Sequence, residues 1–257
     1  MHHRLLLAGF LLLAGLLPFM ATGLSPVSTT PSAEAMGTVR YEVRYKLGLL
    51  DTRVATATIS WEEAAWHHAP AFHSVAIVRP TPAFRLFISS DYYVETYFGK
   101  SNLSPLYFVN PFKSGGKDGK YVFEYKKETG TIESTTVYGD NDPICKTFPL
   151  DGKTFDLLSL LHFVRFLDLS KTSFPFPLKV LMANNSYPGH LIYQGIDKEK
   201  FPGTPTEKLL VQLPHGLMEN GSGNELHLWR ATTPDRRILA LETPLSTGSM
   251  SCRISQE

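Results

Sequence analysis

The chain has 257 residues, 43% of them hydrophobic and 19% charged, a globular composition long enough for one large domain or two small ones. Its aromatic share of 12%, with 16 Phe and 11 Tyr, favours β-structure, because aromatic side chains pack well on a pleated surface. With 25 Lys and Arg residues against 24 Asp and Glu, the charge is near zero, so the basic footprint of a nucleic-acid-binding protein is missing.

The N-terminus has the pattern of a secretory signal peptide. Arg4 precedes an apolar run over residues 5–19, and the small residues Ala21 and Gly23 suit cleavage. The run is shorter than the ~20 residues that cross a bilayer. We therefore expect residues 1–23 to be removed and the protein to be exported to the periplasm or cell envelope. An uncleaved anchor is the alternative, and the lack of a nearby Cys argues against a lipoprotein.

After the signal segment, the pattern is that of a leader followed by strands. Residues 24–37 are rich in Ser, Thr, Pro and Ala, which predicts a flexible leader. Residues 39–47 alternate apolar and charged side chains, as in a half-buried strand. The other predicted strands are 53–61, 72–79, 91–98, 106–109, 121–125, 131–138, 178–182, 189–194, 208–213, 225–229, 238–243 and 249–254. Residues 113–120, with three Gly, are predicted to be an exposed loop. No repeat or boundary interrupts the pattern, so residues 38–257 are expected to form a single β-rich domain.

A helix is predicted near the middle of the chain, at about residues 154–169. Large apolar residues fall on every face of this segment, as in a helix that is buried all round. Its polar residues recur in steps of three and form a spiral: Asp156, Ser159, His162, Arg165 and Asp168. The predicted fold is mostly β, a single antiparallel sheet curved into an incomplete barrel or sandwich with the helix against its concave face.

The polar residues of the helix allow two interpretations. Asp156, Ser159 and His162 are the residue types of a hydrolase triad, in which His activates the hydroxyl and a carboxylate orients the His. The strained G-x-S-x-G elbow and its oxyanion loop are missing around Ser159, however. We therefore expect a buried structural network in which Arg165 pairs with an acid. Its predicted members are Asp91, Asp156, Ser159 and Arg165, with Asp168 as a further candidate acid.

The cysteines and histidines give weaker signals. In an oxidising compartment Cys145 and Cys252 could form one disulfide, the alternative being two separate buried thiols. His67, His68 and His73 are close in sequence, but adjacent strand residues face opposite ways and no Cys or acid joins them at ligand spacing. Phosphate-binding glycine motifs are also missing. The sequence predicts neither a metal site nor a cofactor.

Four stretches of the chain resemble a known family. Residues 41–58 look like an opening hairpin, and residues 91–108 like an aromatic strand headed by Asp and followed by an L-x-P turn. Residues 156–165 look like a helix motif of Asp, Leu, Ser and Arg, and residues 226–250 like closing strands. The chain thus resembles the bacterial domain-of-unknown-function family 3108, whose members are exported envelope proteins, many from the Bacteroidetes. His162 departs from the resemblance, which implies an aromatic residue such as Tyr there. The resemblance implies a fold and a compartment, but no activity.

Together these features predict a non-enzymatic envelope protein that acts as a binding or scaffold module. A curved, aromatic-rich sheet with one helix can leave an apolar cavity, so a lipid or acyl chain is one expected ligand, and an envelope protein is an alternative partner. The opposing possibility is that aromatic side chains fill the interior. Two alternative functions stay open: a hydrolase that uses Ser159 and His162, and a structural subunit of an envelope complex.

Overall fold

The computed structural model describes residues 36–86, 91–114, 116–213 and 224–255. The predicted signal peptide and most of the predicted leader lie outside the described residues. The first eight strands are β1 (Gly37–Leu47), β2 (Leu50–Trp66), β3 (Ala69–Pro80), β4 (Tyr92–Gly99), β5 (Pro105–Ser114), β6 (Lys117–Lys126), β7 (Thr131–Tyr138) and β8 (Ile144–Pro149). The short strand β9 (Thr154–Asp156) leads directly into the helix α1 (Leu157–Phe166). The remaining strands are β10 (Phe176–Met182), β11 (Asn185–Asp197), β12 (Thr206–Gln212), β13 (Glu225–Ala231), β14 (Ile238–Pro244) and β15 (Ser249–Ile254).

All of these strands belong to one sheet of nearly sequential order. The order is β8-β7-β6-β5-β4-β3-β2-β1-β15-β14-β13-β12-β11-β10-β9, so the first and last strands are neighbours at its centre. Neighbours are antiparallel except for β9, which runs parallel to β10. The prediction of a single curved sheet with one helix is confirmed, with this parallel pair as the exception to its antiparallel character.

The alternation predicted for β1 appears as two distinct faces. Tyr41 and Val43 are buried, whereas Glu42 and Arg44 lie on the opposite face. The predicted loop at 113–120 is wrong, because β5 and β6 run through most of it and pair as far as Ser114 opposite Lys117. Its glycine at position 119 serves packing rather than a turn: a Cβ there would lie 2.5 Å from the Phe112 ring.

The sheet curls until its two ends approach each other. The Ser134 hydroxyl of β7 donates a hydrogen bond of 2.6 Å to Asn184 Oδ1 in the β10–β11 turn. Lys146 Nζ of β8 donates to Asn185 Oδ1 at 3.0 Å. The terminal strands β8 and β9 do not pair with each other in the described sheet. Side-chain contacts thus span the gap between the ends, and the sheet stays an incomplete barrel.

The helix lies on the concave face and is buried along its length. Leu160, Phe163 and Val164 are almost inaccessible to solvent and pack with apolar residues of β9 to β13. The helix is shorter than predicted at both ends. Residues 154–156 pair with β10 as strand β9 instead, and Leu167 already has extended backbone angles. In the part of the chain that the structure describes, no helix is long and apolar enough to cross a membrane.

The β1–β2 hairpin projects beyond its neighbour β3. The pairing of β2 with β3 begins at Ala55 opposite Pro80, since a proline cannot continue the ladder. Residues 50–53 of β2 therefore pair with β1 but not with β3. On the other side, the β14–β15 hairpin accompanies β1 as far as Lys46, which lies opposite Ser249.

Candidate functional site

Asp156 is the residue that starts the helix. Its backbone is extended, and its Oδ1 accepts a hydrogen bond of 2.9 Å from the Ser159 amide. This satisfies one of the backbone donors that every helix leaves unpaired at its N-terminus. The Ser159 hydroxyl donates back to the Asp156 carbonyl oxygen at 3.1 Å. Asp156 and Ser159 are thus joined by two hydrogen bonds that fix the first turn.

The second carboxyl oxygen of Asp156 connects the start of the helix to strands β4 and β6 of the sheet. Thr96 Oγ1 lies 3.1 Å from Oδ2, and the Tyr125 hydroxyl lies 3.4 Å from it. Burial raises the pKa of Asp156, because the charged form is cut off from water. The Thr96 hydroxyl also lies 2.9 Å from the Tyr107 carbonyl oxygen and has only one proton to donate. A protonated Asp156 that donates to Thr96 satisfies both contacts.

His162 forms a hydrogen bond with Ser74, and not with Ser159 as the triad interpretation requires. Its Nε2 lies 2.8 Å from Ser74 Oγ, and Ser74 in turn donates to the Ser60 carbonyl oxygen at 2.9 Å. Because the single hydroxyl proton of Ser74 goes to that carbonyl, Nε2 carries the proton of the imidazole. Ser159 Oγ is used within its own helix turn. The geometry is that of a satisfied core histidine rather than of a base poised against a nucleophile.

Aromatic rings enclose His162. The Trp61 and Phe98 rings stack against the imidazole at centroid distances of 5.0 and 4.9 Å. Nδ1 is buried and has no hydrogen-bond partner among the described residues. Burial, with a smaller contribution from nearby Arg165, lowers the pKa of His162 to about 3. The side chain is therefore neutral at physiological pH.

The neutral His162 should make the protein sensitive to acid. Unfolded His takes up a proton below pH ~6.5, whereas the folded side chain stays neutral down to about pH 3, so lowering the pH favours unfolding across this window. His162→Phe retains the ring packing, and Ser74 still donates to Ser60. Between pH 6.5 and 4, the free energy of unfolding of the wild type should fall more steeply with decreasing pH than that of this variant. The difference in slope should be on the order of 1 kcal/mol per pH unit. Urea unfolding at a series of pH values measures the difference.

His190 supplies the control for this prediction, because it is exposed on β11. His190→Gln should retain the acid sensitivity of the wild type. If His162→Phe and the wild type show parallel stability curves down to pH 4, the assigned neutral state of His162 is wrong.

Arg165 does not pair with either of the two predicted acids. Its Nε donates to the Asp235 carbonyl oxygen at 3.0 Å, and its guanidinium lies 5.3 Å from the Trp61 ring centroid. Asp91 is exposed and forms ion pairs of 3.2 Å with Arg79 and 2.6 Å with Arg85. Its predicted place in the core network is therefore wrong.

Asp168 forms its hydrogen bonds and its ion pair with residues that follow it directly in the chain. It accepts hydrogen bonds from the Ser170 amide and hydroxyl, and it lies 3.4 Å from Lys171 Nζ. A short 3₁₀ turn follows it, so its carboxylate caps that turn instead of reaching Arg165. The chain satisfies Arg165 through the β13–β14 loop, a partner that lies 70 residues away and has no signal in the helix sequence.

Arg230 is a central residue that the sequence analysis missed. It is buried on β13, where both Nε and Nη2 donate to Glu207 Oε2 of β12 at 2.8 and 2.6 Å. Its Nη1 lies 2.8 Å from the Val164 carbonyl oxygen, 3.1 Å from that of Arg165 and 2.9 Å from that of Leu167. The guanidinium therefore closes the C-terminus of α1, where the helix dipole favours a cation. The position of a charged Arg within the mostly apolar strand 226–231 is the sequence signal that could have identified Arg230 as a buried residue.

A small cavity remains between α1 and strands β1, β2 and β14. Its volume is about 30 Å³, which is room for about two water molecules. Five aliphatic side chains line it together with Tyr41, Trp61, His162, Arg165 and Arg237. Pockets that hold drug-sized ligands measure roughly 300–1,000 Å³. An acyl chain does not fit this space as the side chains are placed.

The cysteines lie far apart in the sheet. Cys145 is exposed on the end strand β8, and Cys252 lies on the central strand β15; both are free thiols. The disulfide between Cys145 and Cys252, one of the two alternatives from the sequence, is therefore not formed in this fold. The alternative of two buried thiols is also wrong for Cys145. Burial raises the pKa of Cys252 to about 11, so this thiol is protonated and unreactive at neutral pH.

The three clustered histidines occupy two different environments. His67 and His68 form the β2–β3 turn, with φ angles of 48° and 68°. His73 lies on β3, where Nε2 is 3.3 Å from Glu95 and Nδ1 is 3.7 Å from Glu62. Among the described residues no group of three or more His, Cys, Asp or Glu side chains is arranged to hold a metal ion.

Comparison with known proteins identifies a family and a similar fold. A family model described as "Protein of unknown function (DUF3108)" matches residues 40–252. A search of the curated proteins finds no match. A similar solved structure is the "Beta-barrel-like Protein of Domain of Unknown Function DUF1849 from Brucella abortus", with a TM-score of 0.53 and 8% sequence identity over 85% of this chain and 95% of that one. This likeness is one of fold. The family match spans most of the chain, so the protein belongs to the DUF3108 family.

Proposed function

We propose that this protein is a non-enzymatic module of the bacterial cell envelope that acts through its outer surface rather than through an internal ligand site. The observation that carries the proposal is the filled interior. The helix and its neighbouring aromatic rings occupy the concave side of the sheet, and the cavity beside them has room for about two water molecules. An acyl chain would need a space at least about ten times larger.

The hydrogen bonds of the buried polar residues support a structural role for them. Asp156 and Ser159 form the N-terminal cap of α1, and His162 is bonded to Ser74. The Ser159 hydroxyl and the His162 imidazole of the triad interpretation thus each have a partner within the fold. Export is part of the proposal and rests on the N-terminal sequence, with Arg4 followed by the apolar run over residues 5–19.

Native mass spectrometry tests the proposal directly. The protein is purified gently from its own host, and its mass is compared before and after extraction with organic solvent. We expect a bare polypeptide mass, together with loss of the N-terminal segment near residue 23. A known lipid carrier purified in the same way should retain its lipid and serves as the control.

A lipid that co-purifies at one molecule per polypeptide and that organic solvent releases would overturn the filled-interior proposal and identify the ligand, whereas lipid held at variable stoichiometry belongs to the surface. An internal ligand would require α1 to move away from the sheet. Retention of residues 1–23 would instead contradict the proposed cleavage of the signal segment.

A further inference from the structure

The projecting β1–β2 hairpin ends in three exposed leucines, which we call the leucine tip: Leu47, Leu49 and Leu50. Leu49 is fully exposed, and the other two expose 47% and 55% of their surface. Single exposed leucines are ordinary on protein surfaces, but three within four residues at one turn form a continuous apolar tip. The turn itself needs Gly48, whose φ of 56° lies in the left-handed region. The described fold covers about half of Leu47 and Leu50 and leaves Leu49 uncovered.

The strands behind the tip make it a firm projection. Residues 50–53 extend past the end of β3 by about 13 Å, at ~3.3 Å per residue. The Tyr45 hydroxyl donates to the Thr247 carbonyl oxygen at 2.8 Å, which links the hairpin to the adjacent β14–β15 turn. Amphipathic elements at a membrane surface bury their apolar side about 5–10 Å below the headgroups. On the other side the β14–β15 hairpin accompanies β1 as far as Lys46, so the part that enters the apolar layer is the leucine tip itself.

Basic side chains collect behind the leucines. Arg44 Nε donates to Asp51 Oδ1 at 2.7 Å, and Arg53 Nη1 lies 3.2 Å from Glu42 Oε1, so both acids of this region are paired. Lys46 and Arg253 are also exposed here, and both act electrostatically on Asp51. Four basic groups thus stand against two carboxylates: Arg44, Lys46, Arg53 and Arg253 against Glu42 and Asp51. The excess positive charge lies where anionic headgroups would meet the hairpin.

We propose that the leucine tip and its basic side chains dock this protein on the surface of a lipid bilayer that contains anionic headgroups. The proposal deepens the surface-acting function proposed above and rests on it. The tip is convex and ends in flexible aliphatic side chains. A fluid bilayer accepts such a projection without a matching pocket, and the excess basic charge behind the tip attracts anionic headgroups.

Vesicle co-sedimentation tests the docking. The protein purified from its host is mixed with vesicles of equal parts phosphatidylcholine and phosphatidylglycerol, or of phosphatidylcholine alone. We expect binding to the anionic vesicles that weakens with added salt. The double variant Leu49→Ser with Leu50→Ser should lower the partition coefficient by at least about tenfold, since two leucines lose their transfer into the apolar layer.

A matched control uses two exposed isoleucines elsewhere on the sheet. Ile144 and Ile196 expose 59% and 51% of their surface on β8 and β11. The double variant Ile144→Ser with Ile196→Ser should bind vesicles as the wild type does. Lys46→Glu should weaken binding to anionic vesicles more than to neutral ones.

Three results would overturn the proposal. One is no binding of the wild type to anionic vesicles at low salt, and another is equal loss of binding in the leucine and isoleucine variants. The third is a wild type that does not bind vesicles and a leucine variant whose oligomeric state differs from that of the wild type in analytical ultracentrifugation. That result would assign the tip to contact with a second copy of the chain. All three leave the mass-spectrometric result untouched, so the two proposals fail separately.

Discussion

Replacing Arg230 with Met is expected to lower the free energy of unfolding by about 3–5 kcal/mol, the usual cost of removing one partner of a buried ion pair. The variant leaves Glu207 without its guanidinium and removes the Nη1 donor shared by the carbonyl oxygens of Val164, Arg165 and Leu167. The Leu167 oxygen keeps a second donor, Arg236 Nη1 at 3.2 Å. Met retains most of the buried volume, so the loss reflects charge and hydrogen bonds rather than a cavity. For a domain of this size the melting temperature should fall by roughly 6–20 °C.

Arg79 provides the matched control for the Arg230 variant. It lies on β3, is half exposed and pairs with Asp91 at 3.2 Å. Exposed ion pairs contribute about 0–1 kcal/mol, so Arg79→Met should leave the urea midpoint almost unchanged. If the two variants unfold at the same urea concentration, Arg230 does not fix the C-terminus of the helix.

Replacing Asp156 with Ala is expected to cost about 2–4 kcal/mol, and replacing it with Asn much less. The Ala variant loses the helix cap, removes the Asp156 contact of the Tyr125 hydroxyl and leaves the Thr96 hydroxyl with the Tyr107 carbonyl oxygen alone. Asn has the same shape, accepts from the Ser159 amide and offers an amide N–H towards the Thr96 and Tyr125 hydroxyl oxygens. Urea unfolding of both variants at neutral pH gives the comparison.

The pH dependence of the Asp156 variants gives a second, independent measurement. Burial raises the pKa of Asp156 in the folded state, so the folded protein holds a proton that the unfolded chain has already lost. Raising the pH from about 4 through the native pKa should therefore favour unfolding of the wild type. Asp156→Asn removes this dependence. If the wild type instead gains stability relative to the Asn variant over this range, Asp156 is ionised in the fold.

Most of the fold follows from local patterns in the sequence. The alternation around Tyr41 and Val43 gives a strand with one buried face, and Pro80 ends a strand because proline has no amide donor. The apolar segment around Phe163 indicates a buried helix because no face of it is polar throughout. Strands β8 and β9 escaped prediction. The former lies at the end of the sheet with most residues exposed, and the latter has three residues, so neither shows periodicity.

The partners of the buried polar groups could not be predicted in the same way. Arg165 and His162 were recognised as buried polar residues, but their partners Asp235 and Ser74 lie 70 and 88 residues away. The order and register of the strands in the sheet decide which distant strand packs against each turn of the helix. A single sequence shows neither the order nor the register. Arg230 stands in an apolar strand and escaped notice for the same reason, since its role appears only once the helix end is placed beside it.

The neighbouring position of β1 and β15 has a consequence for how the chain folds. Strands β1 to β8 form one ladder of successive hairpins, and strands β10 to β15 form another, so each half can assemble from local contacts. The two halves join where Tyr41 meets Ile254, across more than two hundred residues. Closing a loop of that length is entropically costly and slow. Until it closes, the edge strands β1 and β15 are open to pairing with other chains, so folding intermediates of this protein are at risk of edge-to-edge aggregation.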